Sequence, residues 1–537
     1  MKNAIQNGNT ITLPAPYPLA AGDGLQVGAL FGVARGAAQS GAEVEAGMVG
    51  VYGLPKVASE AWAAGDRIYW ADGAKKCTLA SSGNALIGVA VAAAANPSAA
   101  GLVRLNGTAG AQAAAMIAAG NRNMVPYSYA NTGNTNNVKN NRVMFRAPLL
   151  YAAKDLLLTY VNWYANPLGG ESTTNLLQFN LRAAVEYPLG TMHQVTFGGQ
   201  VTRLMDLGDT VESDPVPVTI TPGETFYVRT WREHLGVSAA YNELVNQIVT
   251  PGHNEAAMSG TNNADDRTMS GTITAVASLN QVYGPMLVRG AATAAGANVL
   301  ILSDSIGRGS GDKTGTTGQG DYLNGTSPTA PYINIGNVGW IESGIGGRNA
   351  LLSLAVPSKI AAAYTEALAP KQFAIVDKAP PTHVFICIGT NDLAAAASAA
   401  TVKTRIENII ALAKARWNDP VCIVATIFPV TNSTDSWATT ANQTFTGTPP
   451  GAGTPPHWAN YTDDTGTSGR SWLNDLIRAV ALVGQDGYVD GSIQVEDASD
   501  ERKWRVDLGA PTIDAFHPQP ALHRQAATAI DAAALFG

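Results

Sequence analysis

Asn298-Val299-Leu300-Ile301-Leu302-Ser303-Asp304-Ser305 is the stretch on which the fold turns. Its apolar run, bounded by Gly296 before it and by Gly307 and Gly309 after it, reads as a buried parallel strand. A serine at the carboxyl end of such a strand sits where open α/β sheets bind ligands. His383-Val384-Phe385-Ile386-Cys387-Ile388 repeats the pattern as a second strand, and Gly389-Thr390-Asn391-Asp392 follows it, so Asn391 is placed to aim its amide at the same crevice. Further on, Asp514-Ala515-Phe516-His517 sets a carboxylate three residues before a histidine. That spacing lets Asp514 reach one imidazole nitrogen while the other faces Ser305, and it fixes the tautomer that a general base needs. With Gly344-Ile345-Gly346-Gly347, these motifs supply a nucleophile, a base, an orienting carboxylate and oxyanion donors, the parts of a serine esterase.

Singly, each motif has a plainer reading: Asp-Ser after a strand as a turn or helix cap, Gly-Thr-Asn-Asp as a loop, Asp-x-x-His-Pro as a helix start. Jointly, in this order and at strand ends, the four blocks over residues 298–537 resemble the SGNH hydrolase family, also called GDSL-like lipases and esterases. The resemblance implies Ser305 as nucleophile, His517 as base and Asp514 as its partner. It implies an oxyanion hole made of the Ser305 backbone N–H, the Gly347 backbone N–H and the Asn391 side chain, with a one-residue slip from Gly347 to Gly346 left open. Where the family usually has Gly before the first Asp-Ser, this chain has Ser303. Catalytic folds also persist as scaffolds after activity is lost, so a silent hydrolase stays open.

The surrounding pattern predicts a flavodoxin-like wound sheet. Residues 401–417 carry a helical stripe of Val402, Ile406, Ile409, Ile410 and Ala413, stopped by Asp419-Pro420. Residues 421–425 and 487–490 read as strands, 472–483 and 521–535 as helices. Residues 430–470, rich in Thr, Gly, Pro and Asn, read as a lid or substrate-contacting insertion, or as a surface excursion. Among the competing histidines, His523 reads as a surface helical residue, His383 opens a strand, His457 sits in a loop, and His193, His234 and His253 fall outside the hydrolase region. No H-E-x-x-H, paired cysteines or carboxylate cluster at ligand spacing points to a metal, and no cofactor is expected.

With 537 residues the chain is too long for one core and suggests about three domains. The formal net charge of -7, with no Lys/Arg run, argues against a nucleic-acid binder. Cys77, Cys387 and Cys422 are isolated and read as core thiols. The longest apolar stretch, 85–95, is too short for a membrane span, and the first residues lack the apolar core of a cleaved secretion signal.

Residues 1–107 form a separate unit of short strands and tight turns, with candidates at 10–13, 27–33, 48–54, 67–70, 86–91 and 102–105, favouring a small all-β barrel or sandwich. Gly28-Ala29-Leu30-Phe31-Gly32-Val33, Leu54-Pro55-Lys56, Trp62-Ala63-Ala64-Gly65-Asp66, Ile68-Tyr69-Trp70 and Leu86-Ile87-Gly88-Val89-Ala90 resemble a family of small phage head-decoration (capsid cement) proteins. That resemblance implies a domain seated on an assembled capsid shell, commonly as a trimer; a plain β module joining an enzyme to something else is the alternative. Residues 108–141, rich in Ala, Gly and Asn, read as a linker. Residues 142–289 read as a β-sandwich with strands at 156–164, 194–197, 216–220 and 225–229, the last two joined as a hairpin by Thr221-Pro222-Gly223-Glu224. It is a candidate for carbohydrate binding through Trp163 or Trp231, unless these are core residues. Residues 290–537 are the hydrolase domain.

The two resemblances together imply a virion component, made in the host cytoplasm, that docks on the major capsid protein at the outer surface of the phage head, as a homotrimer. It would display an esterase whose substrate is a bacterial surface polysaccharide, as an O-deacetylase, with no nucleic acid and no membrane insertion. A silent structural or adhesive decoration, or a tail fibre or spike, are the other readings.

Overall fold

The computed structural model describes residues 8–28, 30–79, 84–110, 116–118, 123–132, 137–149, 152–236, 240–245, 247–248, 255–260, 265–274, 281–292, 296–312, 339–345, 348–450, 452–463 and 465–536. The chain divides into two compact units, residues 1–115 and 116–537.

In the first unit nine strands form one hydrogen-bonded antiparallel network. Alternation buries Val44 and Ala46 in Glu43–Gly47 and Ile68 and Trp70 in Arg67–Ala71. Phe31, Leu54, Trp62, Ile68, Trp70, Ile87 and Val103 make one apolar cluster, and Leu13, Leu25, Val44 and Met48 a second. The expected run 27–33 is divided between two paired strands, Gly24–Val27 and Leu30–Ala34, and two more strands are absent from the sequence reading, Glu43–Gly47 and Lys76–Thr78. Both are short and partly polar, so neither carries a hydrophobic run.

The second unit holds three main sheets. A six-stranded antiparallel sheet places Thr225–His234 between Phe179–Glu186 and Val138–Arg146. A five-stranded one centres on Ala153–Val161. Phe145, Phe179, Leu181, Phe226 and Val228 of the first share a core with Leu156, Leu158, Tyr160, Val218 and Val288 of the second, so the two sheets pack face to face. Val216–Ile220 belongs to one sheet and Thr225–His234 to the other, so Thr221–Glu224 is a crossing between sheets and not the expected hairpin. Its turn bond, Glu224 N–H to Thr221 O at 3.1 Å, is present all the same. Turn chemistry is local, but the partner of each strand is not.

The third sheet is parallel. Asn298–Ser303, Ala350–Ser353, His383–Cys387, Val421–Ala425 and Gly487–Val489, numbered by chain order, lie 2-1-3-4-5 across it. The order reverses between the first and third strands, and their carboxyl ends open the crevice that doubly wound sheets use for ligands. The helix Ala399–Arg416, capped by the Ser398 side chain accepting from Thr401 N–H, buries Val402, Ile406, Ile409, Ile410 and Ala413. The helix from Gly469 ends at Arg478, short of 483, and the C-terminal helix is broken into Pro520–Ala527 and Ala532–Phe536.

Two expectations about organisation need correction. Residues 108–141 are not a linker throughout: Asn123–Met124 adds a parallel strand beside Ala350–Ser353, and Tyr127–Thr132 and Val138–Arg146 are also strands. Asn-rich composition misleads here because the amides serve inside the protein. Asn123, fully buried, donates to Leu351 O at 2.9 Å and accepts from Val288 N–H at 2.6 Å. The sandwich and the hydrolase are likewise not separate, since Val161, Trp163, Met286 and Leu287 lie in the same apolar core as Val299, Leu300 and Phe385. Trp163 and Trp231 are fully buried, Trp163 donating to Thr210 Oγ1 at 2.9 Å, so neither offers a ring to a sugar. All three cysteines are free and buried. No helix among the described residues is long and apolar enough to cross a membrane.

Candidate active site

The buried strand Asn298–Ser303 ends with Ser303, whose hydroxyl donates to Cys387 O at 2.7 Å and so ties the first and third strands at their carboxyl edge. The serine that stands in the family's glycine position therefore has a satisfied buried hydroxyl. The chain then coils tightly: Arg308 N–H bonds Asp304 O at 3.0 Å and Ser310 N–H bonds Ser305 O at 2.9 Å. Gly311, at φ +91°, runs against the loop that carries the histidine; a Cβ there would lie 2.3 Å from Pro518 O and 3.0 Å from His517 Cβ. Only glycine allows that approach.

Across this contact the three predicted residues meet. Ser305 Oγ lies 2.7 Å from His517 Nε2, and His517 Nδ1 lies 2.7 Å from Asp514 Oδ2. Asp514 Oδ1 accepts from the backbone N–H groups of Phe516 at 3.1 Å and His517 at 2.9 Å. Burial works against ionisation of Asp514, but the His517 ring and these N–H groups outweigh it and bring the pKa down to about 2. An anion at Nδ1 and a hydroxyl at Nε2 is the arrangement in which an imidazole takes a proton from serine.

Asn391 lies in the short helix Thr390–Ala394, entered through Gly389 at φ +127°. A Cβ on Gly389 would lie within 2.9 Å of Ile427 and Val402 side chains. The Asn391 Nδ2 donates to Lys359 O at 3.0 Å and to Asp304 Oδ2 at 3.3 Å, which brings it beside the turn that carries Ser305. Asp392 accepts from Arg405 at 2.6 Å and from Ala361 N–H at 2.9 Å, fixing this helix to the loop that follows the second strand.

The expected second backbone donor is Gly347, or Gly346 with a one-residue slip. Gly346 and Gly347 lie outside the described residues. Gly344 is in the helix Gly339–Ile345, and Ala350 pairs with Asn298 at the amino edge of the sheet. What stands at the carboxyl end of the second strand is the turn Val356-Pro357-Ser358-Lys359, closed by Lys359 N–H to Val356 O at 3.1 Å, with Ser358 at φ +62°. Its neighbour Lys359 is the residue whose carbonyl holds Asn391. Neither Ser305 N–H nor Ser358 N–H makes a hydrogen bond among the described residues. The sequence signal for this turn is the Pro-Ser pair after an apolar strand.

Part of residues 430–470, the expected lid or substrate-contacting insertion, is tied to the Asn391 helix. Asn460 Nδ2 donates to Leu393 O and Ala397 O, and Tyr461 Oη to Thr390 O, bracing the Asn391 helix. Gln443 exchanges hydrogen bonds with the Trp504 backbone at 2.7 and 2.9 Å. His523 is not a surface residue: it is 1 % exposed, with Nε2 3.0 Å from Ser310 O, because its helix turns Leu522, His523 and Ala526 inward. His193 sits 2.8 Å from Tyr187 O, His234 is buried in the sandwich, His383 Nδ1 is 2.8 Å from Thr382 Oγ1, and His457 caps a short turn; His253 lies outside the described residues. A surface cavity of about 850 Å³ lined by Arg478, Glu496, Glu501 and Arg505 among others includes none of the triad; within it Arg478 pairs with Glu496 at 3.7 Å and Arg505 with Asp507 at 2.6 Å.

Residues 5–105 match the family model of the phage cement protein, and residues 304–525 match that of the GDSL-like lipase/acylhydrolase family. No curated protein matches the chain. Among solved structures the chain is similar to a family two carbohydrate esterase from Clostridium thermocellum in complex with cellohexaose, at 12 % identity over 78 % of this chain and 98 % of that one, with a TM-score of 0.29. It is similar to a carbohydrate esterase family 2 enzyme plus carbohydrate-binding domain from Corynascus thermopiles, at 12 % identity, 76 % and 98 % coverage and a TM-score of 0.28. A member of the lipolytic protein G-D-S-L family from Veillonella parvula is similar at 13 % identity, 43 % and 94 % coverage and a TM-score of 0.26.

Proposed function

We propose that this protein is a phage virion component whose first unit seats on the capsid shell and whose second unit is a serine esterase that removes acetyl groups from a bacterial surface polysaccharide. The observation that carries the enzymatic half is the unbroken relay from Ser305 through His517 to Asp514, both links at 2.7 Å. The cement-protein match over residues 5–105 supports the capsid as partner and the outer face of the head as location, with a homotrimer as the assembled form. The 2-1-3-4-5 strand order supports a flavodoxin-like sheet for the esterase.

In this reading Ser305 Oγ attacks the ester carbonyl carbon as its proton passes to His517 Nε2. Asp514 holds the imidazolium through Nδ1–H. The oxyanion is bound by the Ser305 N–H, the Asn391 amide and one further backbone N–H, that of Gly347 or of Ser358. As the tetrahedral intermediate collapses, His517 returns the proton to the departing sugar hydroxyl. Water then attacks the acyl-enzyme, giving up a proton to His517, and the acid leaves as Ser305 is restored.

The test is acetate release from p-nitrophenyl acetate and from an acetylated bacterial polysaccharide by the purified protein and its Ser305→Ala variant. Serine-dependent release from both supports the reading. Release from the small ester alone removes the polysaccharide from it, and release from neither, with the fold intact by circular dichroism, leaves a silent decoration. Electron microscopy of labelled virions tells head from tail.

A further inference from the structure

We propose that Asp304 is a positioning residue of the oxyanion hole, its carboxyl group fixing the plane of the Asn391 carboxamide. This rests on the esterase reading given above. An aspartate after a strand ordinarily turns its side chain back onto the next N–H groups at the surface. Asp304 does make that bond, Oδ1 accepting from Ile306 N–H at 2.9 Å. It is, however, only 1 % exposed, and its second oxygen faces Asn391 Nδ2 at 3.3 Å.

A buried carboxyl is costly to retain, so its two oxygens need partners, and here both partners belong to the reaction centre. Ile306 is the residue after the nucleophile, and Asn391 is the side-chain donor. The carboxamide has two N–H directions, and each meets an acceptor from a different loop: Lys359 O at 3.0 Å and Asp304 Oδ2 at 3.3 Å. Two acceptors define the plane of the amide; with one, it can swing about the remaining bond. The longer bond is the weaker, so its hydrogen is the one that can be shared with the oxyanion of the tetrahedral intermediate.

The surroundings of Asp304 suit that role. Burial pushes its carboxyl up to about 7; the Ile306 N–H and His517 pull the other way, and the Asp392 carboxylate adds to the rise. The group next to the oxyanion is thus only partly ionised at neutral pH. Tyr364, Cys387 and Tyr461 complete the titratable groups facing it, and Arg405 neutralises Asp392.

Asp304→Asn keeps the size and can keep the Ile306 bond, but sets an amide nitrogen or an oxygen without charge against Asn391. The experiment is a double-mutant cycle of Asp304→Asn and Asn391→Ala on p-nitrophenyl acetate, with kcat and KM separated. In the parent, Asp304→Asn is expected to lower kcat by about tenfold or more with KM little changed, as loss of an aimed oxyanion donor does. In the Asn391→Ala background the same change is expected to cost less than about twofold. Equal losses in both backgrounds, or no loss in the parent, would overturn the inference while the esterase reading stands. An inactive parent would overturn both. Loss in both backgrounds together with a lowered melting temperature would count as a fold defect and against positioning.

Discussion

The indole N–H of Trp504 donates to the carbonyl of Ala515 at 3.3 Å, two residues before His517. Trp504 is fully buried, and its backbone is clamped on both sides by Gln443, so the loop that carries His517 hangs from an interior anchor. Trp504→Phe keeps a ring in the core but removes the indole donor to that carbonyl. The lost bond should cost on the order of 1 kcal/mol of stability, with a further loss for the unfilled volume. Because the base then loses its fixed reach to Ser305, kcat should fall about tenfold or more while KM changes little. Calorimetry and steady-state kinetics check this together; a lowered Tm with unchanged kcat would mean that the anchor is structural only.

Gly311 offers a second test of how the triad is brought together. Gly311→Ala forces a Cβ to within 2.3 Å of Pro518 O and 3.0 Å of His517 Cβ at φ +91°. Gly509 is a matched control, at φ +96° with nothing within 4 Å of its Cβ. Both alanines incur backbone strain of roughly 1–3 kcal/mol. Only Gly311→Ala should also displace His517 from Ser305, lowering kcat on the order of a hundredfold. The reaction rate of each variant with a fluorophosphonate probe reads the difference directly, and equal rates would show that the close approach does not set the triad.

What the sequence makes legible is what is local. Asp514 and His517 are three residues apart, and the apolar runs 298–303 and 421–425 carry their own burial signal, so both are readable without knowing any partner. Ser358 is not, because its interest comes from a turn in a parallel strand's wake, beside an asparagine more than thirty residues on. The same holds for Asn123, whose amide bridges Leu351 and Val288, and for the Thr221–Glu224 turn, whose flanking strands join different sheets. His523 illustrates the other failure: a polar side chain on a helix is exposed by default, and only the packing of that helix against Gly339–Ile345 and the Ser310 carbonyl turns it inward. Trp163 and Trp231 reverse the case, since an aromatic counted as a candidate ligand platform is the largest apolar group available to fill a core.

The buried carboxyl of Asp304 also makes a prediction about stability and pH. In the unfolded chain this group titrates near its ordinary 3.8, while in the folded protein burial raises it to about 7. Between those values the folded state holds a proton that the unfolded state has released, so rising pH favours unfolding through this group. Its contribution is therefore greatest below pH 3.8, declines through the window up to about 7, and is constant above it. Asp514 does the opposite, its carboxylate supporting the fold above 3.8 and losing that effect as pH falls toward about 2, so it does not contribute to the same window. Asp304→Asn cannot titrate. Measured by calorimetry at a series of pH values, the melting temperature of the variant relative to the parent should rise steadily from pH 4 to 7 and level off thereafter. A constant offset across that range would mean that Asp304 ionises in the folded protein as easily as in water, and that its burial is relieved by a partner other than Asn391 and Ile306.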